Sequence, residues 1–92
     1  MTVAEQQPPK IEFPCDDYMI KVVGDTGPGF RAFVHAVLVR YDATLSEDSF
    51  RVTPSRNGRF ESLTVYMRIE REEHLSDLHQ ELKADDRIRM VL

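Results

Sequence analysis

Residues 50–70 read FRVTPSRNGRFESLTVYMRIE: two runs rich in β-branched and aromatic residues, split by Asn57-Gly58. Asn-Gly tolerates positive φ at both central positions of a tight turn, so the pair predicts a β-hairpin closed by two residues. With Arg56 then facing Arg59, counting back sets Val52 against Leu63 and Phe50 against Val65. That register is self-consistent, because it gathers Phe50, Val52, Leu63, Val65, Met67 and Ile69 on one apolar face. Pro54 lacks the N–H that a central strand must donate, which predicts that the first strand of the hairpin lies at a sheet edge.

On the N-terminal side, Tyr18 to Val23 alternates with the period of a strand. Beyond a glycine-rich turn, Phe30, Phe33, Val34, Val37, Leu38 and Tyr41 fall at helical spacing, and Pro28 suits a first helical position. On the C-terminal side, Leu75, Leu78 and Leu82 share a helical face opened by Glu72 and Glu73, and Arg87 to Leu92 alternates basic with apolar through Ile88, Met90 and Leu92. The order β-α-β-β-α-β predicts an α+β ferredoxin-like plait: a four-stranded antiparallel sheet, order 4-1-3-2, with two helices on one face. That order puts the Pro54 strand at an edge. Residues 1–13, with Gln6-Gln7-Pro8-Pro9, read as a flexible tail before a domain over 14–92.

Composition narrows the function classes. The 92 residues are 41% hydrophobic and 30% charged, with a formal net charge of -4, which suits an ordinary soluble domain and disfavours non-specific attraction to nucleic acid or an anionic membrane. The N-terminus lacks a basic and an apolar signal segment, so the cytoplasm is expected. The single cysteine, Cys15, forms no internal disulfide, and no Cys/His cluster predicts a metal. His74 and His79, five apart, point to different sides of a helix. The serines have no base or nucleophile elbow beside them, so no catalytic residue, metal or cofactor is expected.

Two places can bind something. GPGFRA, within GDTGPGFRA at residues 24–32, matches G-x-G-x-x-A, but Pro28 removes a donor and the following strand enters a hairpin rather than a parallel crossover. A dinucleotide is therefore rejected. What survives is a small-anion site at the N-terminus of the first helix, formed by Asp25, Thr26, Gly27 and Gly29. The other place is the open sheet face, where the register points Lys21, Arg51, Arg68, Arg87 and Arg89 together with Phe60 and Tyr66. Such a face can take a protein partner or a second copy of the chain. As an alternative it can take RNA, the aromatics stacking on bases, although GRFESLTVY lacks the usual RNA-recognition signature.

The combination EFPCDDYMIKVVG, TPSRNGRFESLTVYM and IRMVL resembles the YbeD-like family of small bacterial proteins of uncharacterised function. Glu12-Phe13-Pro14, Gly24, Pro54-Ser55, Gly58, Ser62 and Arg89-Met90-Val91-Leu92 are its most specific parts. The resemblance implies a ferredoxin-like fold similar to ACT regulatory domains, which bind amino acids near the same Pro-Gly turn. It also implies a gene often beside lipoate-biosynthesis genes, and it carries no catalytic residue. The loop GDTGPGF is richer in glycine than the family's pattern. A non-enzymatic regulatory or adaptor domain is expected, one that senses a small anionic metabolite or engages a partner enzyme.

Overall fold

A computed structural model describes residues 12–92. The elements are β1 (Cys15–Asp25), α1 (Pro28–Leu38), a 3-10 turn (Glu47–Ser49), β2 (Arg51–Pro54), β3 (Phe60–Ile69), α2 (Glu72–Lys83) and β4 (Ile88–Val91). All strand pairs are antiparallel, in the order β2-β3-β1-β4, the ferredoxin-like plait, and β2 with Pro54 is an edge. The tail expected over residues 1–13 falls, for 1–11, outside the described residues. Phe13, at its end, packs against the core with its ring 6.3 Å from that of Tyr18.

Helices and sheet meet through side chains that their periods place inward. Ile20 and Val22 of β1, Leu63, Val65, Met67 and Ile69 of β3, and Val91 of β4 are buried against Phe30, Val34, Val37 and Leu38 of α1 and Leu78 and Leu82 of α2. Phe33, Tyr41 and Leu75 are half-buried at the margin of that cluster. Burying one such side chain contributes about 1.5–3 kcal/mol. Gly24 lets α1 approach the sheet: a Cβ there would stand 2.4 Å from the Phe30 ring and 2.6 Å from the Arg87 carbonyl oxygen.

The hairpin keeps its register but not its turn. Val52 pairs with Leu63 as the counting requires, yet Gly58 alone of the pair has positive φ, at 76°. Ser55 and Phe60 close the ladder, and the Gly58 N–H donates to the Ser55 carbonyl, so four residues, Arg56 to Arg59, form the loop. Asn57 serves through its side chain instead, its Oδ1 accepting from the Ser55 hydroxyl and the Arg59 N–H. Both turns leave Arg56 opposite Arg59, which is why the register survives.

Two expectations of facing fail. A bulge between Val23 and Gly24 pairs them with Met90 and Ile88, skipping Arg89, so parity changes within β4. Ile88 packs against the core, Val91 is buried, and Met90 and Leu92 are exposed. Val52 lies on the core face of the sheet but is 41% exposed, because β2 extends beyond the cover of both helices.

Candidate functional site

At the start of α1, Gly27 is the N-cap with φ 153° and Pro28 holds the first helical position. Two of the four residues of the expected anion cradle, Asp25 and Thr26, turn their N–H groups to the fold. The Asp25 N–H donates to the Arg87 carbonyl at 2.9 Å and the Thr26 N–H to the Arg59 carbonyl at 3.1 Å. The Asp25 carboxylate accepts from Arg89 Nε and Nη2. Gly29 faces the Arg87 guanidinium, whose Nη1 lies 2.8 Å from where a Gly29 Cβ would stand.

Arg87 therefore belongs to the helix side rather than the open face. Its guanidinium lies 5.3 Å from the Phe33 ring centroid, a cation–π distance, and both its edge and its N–H donate to Asp85. Those bonds hold the Asp85 carboxyl down to about 2 from its ordinary 3.8. Because the folded value is the lower one, the stabilisation is complete above about pH 4 and is lost as pH falls through about 2. Urea melts at pH 5 and pH 2.5 are expected to differ less for Asp85→Asn than for the parent chain; equal differences would remove the linkage.

The open face forms a grid of cross-strand rows. Lys21 pairs with Leu92 through their backbone groups and stands beside Thr64, which pairs in turn with Arg51. The adjoining rows are Met19 with Tyr66, and Met90 with Val23 and Ser62. Met19, Tyr66, Met90 and Leu92 are each 45–60% exposed. Among the described residues, Lys21 and Arg51 form no ion pair, whereas Arg68 is tied to Asp16 and Glu70, and Arg89 to Asp25. The Phe60 ring has Arg59 and Arg89 guanidiniums within 6 Å on it. A base seeking to stack on Phe60 must displace them, which leaves Tyr66 as the open aromatic of the face.

A third locus went unread in the sequence. Between α1 and β2 runs a groove of about 370 Å³ lined by Pro28, Arg31, Ala32, His35, Glu47, Phe50, Val52 and Leu63. His35 makes an edge-to-face contact with Phe50 and its Nε2 lies 3.3 Å from the Leu45 carbonyl. Glu61, beside the groove, is buried at 2% exposure, the one charged residue buried among those described. Arg31 Nε and Nη2 grip its two carboxylate oxygens at 2.6 and 2.8 Å, which raises the Arg31 pKa. The missed signal was parity: Glu61 is two residues from Leu63 and shares the face of Val65, Met67 and Ile69. Among the described residues no group of three or more His, Cys, Asp or Glu gathers as for a metal, and no helix is long and apolar enough to cross a membrane.

The chain belongs to the family described as "Protein of unknown function (DUF493)", whose model matches residues 8–92. It is 45% identical to a UPF0250 protein of Azotobacter vinelandii and 42% to one of Ectopseudomonas mendocina, each over the full length of both chains. A UPF0250 protein of Hahella chejuensis is 38% identical over the same span. Among solved structures, protein HP0495 from H. pylori is similar with a TM-score of 0.69 at 20% identity, covering 100% of this chain and 96% of that one. The C-terminal domain of the MgtC protein from Mycobacterium tuberculosis is similar with a TM-score of 0.64 at 17% identity, covering 90% and 89%. At such identities the two structures show the fold alone. The family is consistent with the YbeD-like resemblance.

Proposed function

We propose that this domain is a non-enzymatic adaptor that docks on an acidic, partly apolar surface of a protein partner through the open face of its sheet. The observation that carries this reading is the row of Lys21 and Arg51, which form no ion pair among the described residues, set between Met19 with Tyr66 on one side and Met90 on the other. Four large apolar side chains exposed together on one face favour association, and two cations among them select an acidic counterpart. A two-fold pairing of this face with itself brings the same cationic row from each copy together, so a second copy is the poorer occupant.

The test is affinity capture from native lysate with three baits: the parent chain, Tyr66→Ala and Lys21→Glu. An acidic protein held in stoichiometric amount by the parent should bind Tyr66→Ala roughly 10- to 100-fold more weakly, as truncated interface aromatics do, and Lys21→Glu with reversed salt dependence. Gln80→Ala on α2 should retain it. Capture that is indifferent to both open-face substitutions, or a dimer in sedimentation that these substitutions dissolve, overturns the reading.

A further inference from the structure

We propose that the groove between α1 and β2 is a binding site for a small monocarboxylate with a compact apolar body, its carboxylate held by the free edge of Arg31. Glu61 is the starting point. A buried carboxylate on an otherwise apolar sheet face is not needed for stability, since replacing a buried ion pair by apolar groups is often neutral or stabilising. What Glu61 does is fix a guanidinium: it takes Arg31 Nε and Nη2, and Nη1, which makes no hydrogen bond within the described residues, remains for a ligand. A positioned arginine with a planar fork is the usual recognition element for a carboxylate. Glu61 is thus a positioning residue and Arg31 the one that touches the ligand.

The rest of the groove sets the class of molecule. Val52, 41% exposed, and the half-buried Phe50, whose ring meets the edge of His35, offer an apolar floor. α1 has no acidic residue in its first turn, so the positive end of its dipole at Pro28 adds to the attraction for an anion at Arg31. Glu47 on the lining repels a second negative charge, which favours a monoanion over a diacid or a phosphate. A volume of about 370 Å³ lies near the lower end for ligand pockets, with room for a phenyl or a short branched alkyl group. The site is separate from the open face, so either can fail without the other.

The experiment is an NMR titration of the full ¹⁵N-labelled chain with 3-phenylpropionate. Saturable shifts are expected at Ala32, His35, Phe50 and Val52. The neutral 3-phenylpropanamide should bind on the order of 10-fold or more weakly for want of a charge-assisted bond, and 2-phenylsuccinate should also bind more weakly than the monoacid. Arg31→Lys, which keeps the charge but loses the fork, should weaken binding by about 10-fold. Val52→Phe, filling the groove from an exposed position, should abolish the shifts and leaves the test decisive if Arg31→Lys does not fold. Equal affinity for acid and amide, shifts centred on residues 25–29 or on the open face, or undiminished binding to Val52→Phe overturns the proposal.

Discussion

Gly24→Ala is expected to lower the melting temperature by about 10–20 °C, since overpacking of this kind costs about 2–3 kcal/mol and each kcal/mol is worth about 4–8 °C in a domain of this size. The added methyl meets two objects of different stiffness. The Phe30 ring, 2.4 Å away, is fully buried among core side chains, and the Arg87 oxygen, 2.6 Å away, is backbone that accepts the Asp25 N–H. A close-packed interior cannot yield to both. Phe30→Leu in the same chain should recover only part of the loss, because the carbonyl remains. Gly29→Ala is the control: its methyl meets only Nη1 at the tip of the Arg87 side chain, which can shift at the expense of its side-chain contacts with Asp85 rather than of the backbone, and alanine is the better helix former. Thermal melts by circular dichroism check all three, and a Gly24→Ala midpoint within a few degrees of the parent would falsify the close approach.

The second large effect is an asymmetry within one ion pair. Arg31 has half its side chain in solvent, whereas that of Glu61 is 1% exposed. Arg31→Met strands a buried carboxylate, and the midpoint should fall on the order of 10 °C, because breaking a buried pair from one side is among the costlier substitutions. Glu61→Met frees an arginine that water can solvate and puts an apolar group on an apolar face, so it should change the midpoint little or raise it. The double variant should resemble Glu61→Met rather than the sum of the two singles. Equal losses for the two single variants would show that the pair is held by its exposed half. A stability gain in Glu61→Met together with loss of 3-phenylpropionate binding would place the acid where stability is given up for recognition.

How much was legible depends on what each residue reports. Val52 facing Leu63 was readable because the turn count and the apolar alternation must agree, and a change of turn type that preserves the count cannot disturb it. The stripe from Phe30 to Leu38 was readable because each of its members needs the same face. In β4 the pattern misled: Ile88, Met90 and Leu92 alternate faultlessly, but one extra residue at Arg89 moves Val91 into the core, and a bulge has no signature in four residues of strand. Arg87 was misplaced for another reason: it lies before β4, in the turn where Asp85 holds it, and strand alternation does not reach it. Glu61 was overlooked for the opposite reason: periodicity looks for apolar residues and passes over a charge in their register, although such a charge is where local rules yield to function. The exposure of Val52 depends on how far two helices reach across a sheet, which no local pattern encodes.

The shortness of β2 bears on solubility. The Ser55 N–H bonds to the Phe60 carbonyl, and in an antiparallel ladder alternate residues point to the same neighbour. Arg51 and Thr53 thus turn their backbone groups toward β3, while Val52 and Pro54 turn theirs outward. Pro54 has no N–H, so a foreign strand approaching this edge finds a single donor, that of Val52, between an arginine and a threonine. The β2 edge of the sheet is too poor in donors to template a continuing sheet, and the domain can expose an apolar groove beside it without inviting growth from that edge.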